Sequence, residues 1–307
     1  MNAGGAAFGF LHRCTFPPAG EELLCAVSGG VDSLAMLVLA VSAGCEVTAI
    51  HVDHGLRSGS AQEAERVSEA AEKLGASFRS LRVDVGHGPN LEARARKARK
   101  EALPPGSATG HTLDDQAETV LLRLLRGTGP DGLAAMRPGY EHPILGLRRS
   151  ETLQITSSAG FEPIVDPSNA DASILRNRVR HELLPLCSDL AGRDVAPLLA
   201  RLATLVAADA DLLCELAESI DPTDAKAVAA ASVPLATRAL RSWLRADGPY
   251  PPDQAGIERV LAVARGEVPG TEIAPGVRVR RTAGRLRAEP VTVSADANGA
   301  ERAGGRD

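Results

Sequence analysis

The sequence predicts an α/β fold in which a doubly wound, mostly parallel sheet forms a larger N-terminal domain and a smaller, mainly helical C-terminal domain follows. Three observations lead to this prediction. Short apolar runs alternate with longer segments of helical periodicity through the first half of the chain, which is the order of strands and crossover helices. The 307 residues, 44% of them hydrophobic, are enough for two buried cores. After residue 188, Ala- and Leu-rich helical patterns replace the alternation.

The predicted domain boundaries follow from these changes of pattern. We expect the sheet domain to span residues 1–188 and the helical domain, with a terminal hairpin, to span residues 189–293. Residues 294–307 are mostly Gly, Ala and charged residues, and we expect them to be disordered.

Composition limits the classes of function that the chain can have. The formal net charge is -5 at pH 7, so any contact with nucleic acid must depend on local basic clusters. No run reaches the roughly 20 apolar residues of a membrane span, and the first residues lack the pattern of a signal peptide. We therefore expect a cytoplasmic protein with no membrane partner. The five cysteines form no C-x-x-C pair, which disfavours a zinc site or a disulfide scaffold.

The first strand leads into a loop suited to phosphate binding. An apolar run from Leu23 to Val27 precedes Ser28-Gly29-Gly30-Val31-Asp32-Ser33, and a helical pattern follows. Gly29 and Gly30 let the backbone approach an anion at a helix N-terminus. No lysine follows the glycines, which excludes the G-x-x-x-x-G-K-[ST] loop, and Asp32 beside phosphates requires a divalent cation such as Mg²⁺. An ordinary strand-to-helix turn is an equal alternative for this loop alone.

This loop resembles the S-G-G-x-D-S pyrophosphate loop, or PP-loop, of the ATP pyrophosphatase superfamily. Members of that superfamily cleave ATP between the α- and β-phosphates and adenylate a substrate. The resemblance implies an adenine nucleotide α-hydrolase-like fold, ATP and Mg²⁺ as cofactors, and Asp32 as a metal ligand. It implies nucleotide contacts by Ser28, Gly29, Gly30, Val31, Asp32 and Ser33.

The second strand is predicted from Glu46 to Gly55, with polar residues at its C-terminal end. Carboxyl ends of parallel strands meet at one edge of a sheet, so this end converges with the phosphate loop. His51 and Asp53 point to the same face of a strand, which leaves metal ligation and ordinary strand-end polarity both open. The block His-Val-Asp-His-Gly-Leu-Arg resembles the second motif of the tRNA(Ile)-lysidine synthetase family, which implies a nucleotide contact by His54.

A helix over residues 61–75 and a strand over residues 78–83 lead to a basic helix that begins at Asn90. A solvated helix face and a surface that follows a phosphate backbone both fit this helix. The lysidine synthetase family has an Arg-rich helix at this place, usually with an aromatic residue, which this helix lacks. The resemblance implies tRNA contacts by Arg94, Arg96 and Arg99.

A short strand over residues 107–110 precedes an acidic motif, Gly110-His111-Thr112-Leu113-Asp114-Asp115-Gln116-Ala117-Glu118-Thr119. Apolar residues then follow at helical spacing, so the carboxylates lie in the first turn of a helix, where they are stabilised as anions. Ordinary helix-start carboxylates are the alternative for this segment alone. The motif resembles G-H-x-x-D-D-Q-x-E-T of lysidine synthetases and their tRNA-thiolating relatives. It implies catalytic roles for Asp32, His111, Asp114 and Asp115, with Asp115 as a second metal ligand and the division of labour between the two aspartates open.

Three further segments complete the predicted N-terminal domain. The glycine-rich stretch from Gly127 to Leu133 suits a lid or a substrate loop. Residues 166–169 and 176–180 look like the last motifs of the lysidine synthetase family, which implies tRNA contacts by Arg176 and Arg180. A solvated basic helix start explains these arginines equally well.

The C-terminal part is predicted to contain helices over residues 194–220, 225–244 and 253–265, followed by a hairpin over residues 271–289. In the hairpin, Val277 and Val279 lie on one face, and Arg278 and Arg280 lie on the other. RNA docking and a purely structural role are equal alternatives for this hairpin.

Motifs in the family's order cover the chain from Leu23 to Pro185, and the chain is identified as a member of the tRNA(Ile)-lysidine synthetase family. The resemblance implies that residues 1–188 form the ATP-binding catalytic domain. It implies ATP-dependent ligation of L-lysine to carbon 2 of the wobble cytidine of tRNA(Ile) with a CAU anticodon, through an adenylated tRNA, giving lysidine, AMP and pyrophosphate. A homodimer is compatible with the sequence.

Three other functions are weighed against this one. The first is tRNA 2-thiolation by a PP-loop ATPase, which the absence of C-x-x-C disfavours. A nucleotide-binding regulatory module would leave His111, Asp114 and Asp115 without a task. A metal-dependent phosphohydrolase would need more histidine ligands than His51, His54 and His111 supply.

Overall fold

A computed structural model describes residues 7–53, 60–86, 91–164, 171–246, 252–274 and 276–290. The chain divides into two compact units, Met1–Ala207 and Ala208–Asp307. The division falls within a long helix, Ala196–Ala217. Compactness alone does not decide where a domain ends along a helix, so the boundary after residue 188 stays a prediction. The predicted disorder of residues 294–307 lies outside the described residues.

The first unit is built on a four-stranded parallel sheet. Its strands are β1 (Glu22–Ala26), β2 (Glu46–Asp53), β3 (Ser77–Arg82) and β4 (Ala108–Thr109), in the spatial order β3-β2-β1-β4. The register pairs Glu22 with Glu46 and Cys25 with Ala108. The predicted parallel sheet is therefore confirmed.

Helices flank this sheet. The first of them, α1 (Val31–Ser42), is almost continuously apolar, and its residues from Ser33 to Ala40 are buried, because it packs against the sheet and against a later helix. The other helical segments of the unit are a 3-10 turn (Leu11–Arg13), α2 (Ser60–Leu74), α3 (Leu91–Ala102), α4 (Leu113–Leu125), α5 (Pro130–Leu133), α6 (Arg149–Ser158), α7 (Leu175–Arg178), a π-helical stretch (Val179–Leu183) and α8 (Leu184–Ala191). A further helix, α9 (Ala196–Ala217), begins in this unit and ends in the second.

The strand order places the functional edge of the sheet. From β1 the chain moves outward on one side to β2 and β3, and it returns to the opposite side of β1 at β4. Ligands of open parallel sheets bind beyond the carboxyl ends of the strands at such a reversal. The loops after β1 and β4, which carry the phosphate loop and the acidic motif, therefore lie side by side.

The second unit combines three helices with a small antiparallel sheet. The helices are α10 (Ala225–Ala230), α11 (Val233–Ala246) and α12 (Gln254–Arg265), and the strands are β5 (Gly270–Ala274), β6 (Val277–Thr282) and β7 (Arg285–Pro290) in that spatial order. Val279 and Leu286 of the sheet are buried in one cluster with Ile257 and Val260 of α12.

Two details of this unit differ from the sequence expectations. The helix predicted over residues 225–244 is broken after Ala230, because Pro234 lacks an N–H and is tolerated in the first turn of a helix but not inside one. The predicted hairpin has a third strand, β5. The two turns of this three-stranded sheet contain Gly276 and Gly284, whose φ angles are +81° and +79°.

The helices and cysteines bear on the predictions from composition. No helix within the described ranges is long and apolar enough to cross a membrane. Cys25 and Cys45 are buried in the core of the first unit. Burial raises the pKa of the Cys25 thiol to about 12, so this thiol is unreactive at neutral pH.

Candidate active site

The loop between β1 and α1 has the backbone geometry of an anion site. Gly29 has φ of +81°, which L residues rarely adopt, and a Cβ there would lie 2.4 Å from Cδ1 of Ile164. The Ser28 N–H donates to Ser33 Oγ at 3.2 Å, and Ser33 Oγ donates to the Gly30 carbonyl at 2.9 Å. Helix α1 begins directly after Gly30, and its first N–H groups have no intrahelical acceptor. The loop thus presents amide donors where an anion is favoured.

Gly110 brings the loop after β4 against this phosphate loop. A Cβ on Gly110 would lie 2.8 Å from the carbonyl carbon and oxygen of Asp32 and 2.9 Å from the backbone nitrogen of Ser33. These are backbone atoms, so they cannot turn aside as a flexible side chain can. Only glycine allows this close approach of the two loops.

The side chain of Asp115 takes part in capping the N-terminus of α4. One carboxylate oxygen, Oδ2, accepts hydrogen bonds from the backbone N–H and the hydroxyl of Thr112, both at 2.9 Å. Thr112 Oγ1 in turn accepts from the Asp115 N–H at 3.4 Å, which completes a capping box. The other oxygen, Oδ1, accepts from Arg149 Nη2 at 3.1 Å and from Arg176 Nη2 at 2.9 Å. The cap therefore fixes the orientation of a carboxylate whose second oxygen is turned to two cations.

Asp114 points elsewhere, although it precedes Asp115 directly. Its carboxylate accepts from Arg148 Nη2 at 2.8 Å and from Arg148 Nε at 3.1 Å. It also accepts from the backbone N–H of Arg149 at 2.8 Å, at the start of α6. Asp114 therefore ties α4 to α6. The two neighbouring aspartates therefore lie in different surroundings, and this difference could not be inferred from the sequence.

Arg149 joins both sequence motifs. Its three guanidinium nitrogens each contact a different carboxylate: Nε lies 3.4 Å from Asp32, Nη2 lies 3.1 Å from Asp115, and Nη1 lies 3.2 Å from Glu118. Asp32 belongs to the phosphate loop, whereas Asp115 and Glu118 belong to the acidic motif. One cation thus gathers three carboxylates from two distant parts of the chain at the carboxyl edge of the sheet.

Glu118 is the most deeply buried member of this group, with its side chain 1% exposed. Besides Arg149, Arg176 Nε donates to it at 2.8 Å, and Arg180 Nε lies 3.9 Å from it. A buried carboxylate needs such partners, because an uncompensated buried charge is strongly destabilising. The predicted tRNA contacts Arg176 and Arg180 therefore have partners within the site, and their contact with tRNA stays a prediction.

The protein environment shifts the pKa values of Asp32 and Asp115 in opposite directions. Burial raises the pKa of Asp32, although a 2.5 Å hydrogen bond from Thr152 and the charge of Arg149 oppose it. Burial also acts to raise the pKa of Asp115, but the charges of Arg149 and Arg176 and the hydrogen bonds from Thr112 outweigh it and lower that pKa. Such divergence is typical of functional carboxylates.

His111 lies in a second polar cluster next to the acidic helix. Thr109 Oγ1 lies 2.7 Å from Nδ1 of His111 and 2.9 Å from Nδ1 of His142, and the two rings meet edge to face. The single hydroxyl proton of Thr109 goes to the Glu141 carbonyl at 3.0 Å. Both Nδ1 atoms then donate to Thr109 Oγ1. Burial lowers the pKa of His142 and keeps that ring neutral.

Sequence reasoning missed Arg148, Arg149 and Thr152 and gave Glu118 no role. A signal was present, since two adjacent arginines at the start of a helix oppose the helix dipole unless carboxylates neutralise them. The acidic motif supplies those carboxylates. Pairing segments more than 30 residues apart, however, requires the strand order, which the sequence does not contain.

Other predicted site residues are placed only in part. Helix α3 carries the predicted tRNA contacts, and Arg94 Nε donates to the Val85 carbonyl at 3.3 Å. Arg99 is half-buried, and the side chain of Arg96 lies outside the described residues. The nucleotide contact predicted for His54 and the motif over residues 166–169 also lie outside them.

The carboxylates of the site fit Mg²⁺ in kind. Mg²⁺ is usually held by one or two carboxylates together with substrate phosphates and water, and Asp32 and Asp115 both reach the same guanidinium. Within the described ranges, no group of three or more His, Cys, Asp or Glu side chains is arranged to hold a metal without such a substrate. His51 is not placed to bind a metal in this site, since it is buried and its Nδ1 lies 3.0 Å from the Val27 carbonyl.

Comparison with known families matches two parts of the chain. Residues 11–187 match the family described as PP-loop domain, and residues 224–287 match the family described as TilS substrate binding domain. The first match covers the phosphate loop and the acidic motif. The second covers α10 to α12 and most of the antiparallel sheet.

Curated relatives resemble the chain over most of its length. The tRNA(Ile)-lysidine synthase of Nocardia farcinica is 39% identical over 88% of this chain and 92% of its own. That of Thermobifida fusca is 40% identical over 81% of this chain and 84% of its own. Among solved structures, the U34-tRNA thiolase NcsA from Methanococcus maripaludis with its [4Fe-4S] cluster matches 72% of this chain and 79% of that chain, at 15% identity and a TM-score of 0.47.

Proposed function

The chain belongs to the tRNA(Ile)-lysidine synthase family, and we propose that its active site modifies the wobble cytidine through an adenylated tRNA. It is an ATP-using ligase that joins lysine to tRNA(Ile).

One observation carries the proposal. Arg149 contacts Asp32 of the phosphate loop and both Asp115 and Glu118 of the acidic motif. ATP cleavage and lysine transfer therefore have a common site within the first unit.

The first step forms the adenylate. Oxygen 2 of the cytidine attacks the α-phosphorus of ATP, and the bond from that phosphorus to pyrophosphate breaks. The loop amides and the hydroxyl of Ser28 are the proposed donors to phosphate oxygens and stabilise the leaving charge. The hydroxyl of Ser33, which donates to the Gly30 carbonyl, would join them by turning toward the phosphate. Asp32 is the proposed ligand for Mg²⁺, with Asp115 as a second one, and a bound cation would neutralise phosphate charge.

The second step transfers lysine. Its amine attacks carbon 2 of the cytidine, and the bond from that carbon to the oxygen of AMP breaks. Asp115 and Glu118 are the proposed contacts for the lysine ammonium, because their oxygens already accept from cationic nitrogens. His111 is the proposed base for the amine proton.

Asp114 has a different proposed role. All of its described contacts go to Arg148 and Arg149, so it positions α6 and, through it, the guanidinium of Arg149. Several further features are proposed from the sequence. They are tRNA contacts by Arg94, Arg96, Arg99, Arg176 and Arg180, a nucleotide contact by His54, a homodimer and a cytoplasmic location.

A nucleoside analysis tests the reaction. Unmodified tRNA(Ile) with a CAU anticodon is incubated with the protein, ATP, Mg²⁺ and isotopically labelled lysine, then digested and analysed by mass spectrometry. We expect labelled lysidine, formed only when lysine is present. Unchanged cytidine with ATP still converted to AMP and pyrophosphate would contradict the proposed acceptor, and a 2-thio product in the presence of a sulfur donor would indicate thiolation.

A further inference from the structure

The antiparallel sheet of the second unit has one face packed on α12 and one face in solvent. Val279 and Leu286 point to the packed face and are buried. Arg281 points the same way and donates from Nη1 to the Ala264 carbonyl at 3.0 Å, near the C-terminus of α12. Alternate residues of β6 and β7 therefore form the exposed face.

The register arranges the exposed face in three rows across the strands. Arg278 of β6 lies opposite Glu272 on one side and Glu289 on the other. Thr282 lies opposite Arg285, which forms an ion pair with Asp221 at 2.5 Å. In both of these outer rows, the register or an ion pair places a carboxylate near each arginine.

The middle row differs from both. Arg280 lies opposite Arg287, and its neighbour on β5 is Gly270. Both arginines are exposed. Within the described ranges, neither side chain forms an ion pair or a hydrogen bond, and the two residues contribute only their backbone groups to the sheet. Directly opposed residues of antiparallel strands lie about 5 Å apart, so like charges there destabilise the sheet. Folding alone does not account for this pair.

Gly270 leaves room for the pair. A Cβ on Gly270 would lie 2.9 Å from Cγ of Arg280 and 2.9 Å from the Val279 carbonyl oxygen. The stem of Arg280 thus lies against the glycine of the neighbouring strand, close to the sheet surface. This contact restricts the first bonds of the side chain and leaves the guanidinium exposed.

We propose that Arg280 and Arg287 together bind the phosphate backbone of the tRNA substrate. Two adjacent guanidinium groups present forked N–H donors that match phosphate oxygens, and an anion between them removes their mutual repulsion. A phosphate backbone is a polyanion with regularly repeated sites of this kind. The inference rests on the proposed function, which supplies the tRNA.

Binding of fluorescently labelled, unmodified tRNA(Ile) to the full chain tests this inference. The double variant Arg280→Ala/Arg287→Ala is compared with wild type and with Arg278→Ala over a series of salt concentrations. We expect on the order of tenfold weaker binding for the double variant and a salt slope smaller by about 1.4–1.8, since each of the two phosphate contacts contributes about 0.7–0.9. Arg278→Ala should change the affinity by less than about twofold, because its row also carries two carboxylates.

Three outcomes would count against a phosphate contact by this pair. An unchanged affinity and salt slope in the double variant would overturn it, and so would an equal loss in Arg278→Ala. A lower thermal unfolding midpoint in the double variant would also count against it, since removing opposed like charges should not destabilise the sheet. Lysidine formation is measured with the same wild-type preparation, so that a failure of the proposed function is seen independently.

Discussion

The two units use the same residue type in opposite ways. In the first unit, Arg148, Arg149 and Arg176 each contact two or more carboxylates. In the exposed face of the antiparallel sheet, Arg280 and Arg287 face each other without a carboxylate between them.

The difference indicates what each set of arginines does. A guanidinium whose charge is neutralised by carboxylates orients those carboxylates, and its charge stays compensated when an anionic substrate is absent. An uncompensated pair is held in place by the backbone and gains from a polyanion. Arg148, Arg149 and Arg176 therefore organise the carboxylates of the site, whereas the role proposed for Arg280 and Arg287 is to bind the tRNA backbone. Substitutions in the first unit test this distinction, in order of decreasing effect.

Asp32→Asn should reduce lysidine formation by at least about 10²–10³-fold, because it removes the charge that the site places beside the phosphates. The fold should remain, since the pKa of Asp32 is raised and its ionised form is therefore unfavourable in the folded protein. Product formation and urea unfolding at pH 7 are the two measurements. Asp209→Asn, on the exposed surface of α9, is the matched control and should change neither.

Arg149→Met should lower the free energy of unfolding by about 2–3 kcal/mol, because three carboxylates lose their shared cation while Arg176 still contacts two of them. Urea unfolding measures the change. Arg178→Met removes an exposed i,i+4 pair with Glu182 and should have little effect. Equal effects of the two variants would show that the contacts of Arg149 do not organise the site.

Gly110→Ala should destabilise the protein by about 1–3 kcal/mol and slow ATP cleavage, because the added Cβ would press on the backbone of Asp32 and Ser33. Gly129→Ala meets no atom within 4 Å and is the matched control. Thermal unfolding and pyrophosphate release report the two effects. Equal results for both glycines would mean that the two loops are not closely packed.

The pH dependence of stability should have opposite signs for Asp115 and Asp32. The lowered pKa of Asp115 means that its ionised form stabilises the fold above the unfolded pKa of about 3.8. The stability lost in Asp115→Asn at neutral pH should therefore shrink as the pH falls through the lowered pKa. Asp32→Asn should instead gain stability at neutral pH, and that gain should shrink as the pH falls through the raised pKa of Asp32. Unfolding at a series of pH values between 3 and 7 compares them.

Much of the fold could be predicted from the sequence, because strands, helices and glycine turns have local signals. The phosphate loop and the start of α4 were found in this way. The arginine set around Asp115 and Glu118 was not, because it depends on which loops the strand order brings together. Likewise, the alternation in β6 predicted an arginine face, but only the register distinguishes Arg280, opposite Arg287, from Arg278, between two glutamates.

Single-turnover lysidine formation at increasing tRNA concentration tests the distinction between the two units most directly. Asp32→Asn should lower the rate at saturating tRNA by about 10²–10³-fold and leave the half-saturating concentration near that of wild type. Arg280→Ala/Arg287→Ala should instead raise the half-saturating concentration on the order of tenfold, far more than it changes the saturated rate. If both variants altered the same parameter, chemistry and tRNA binding would not be divided between the two sets of residues, and the account would be wrong.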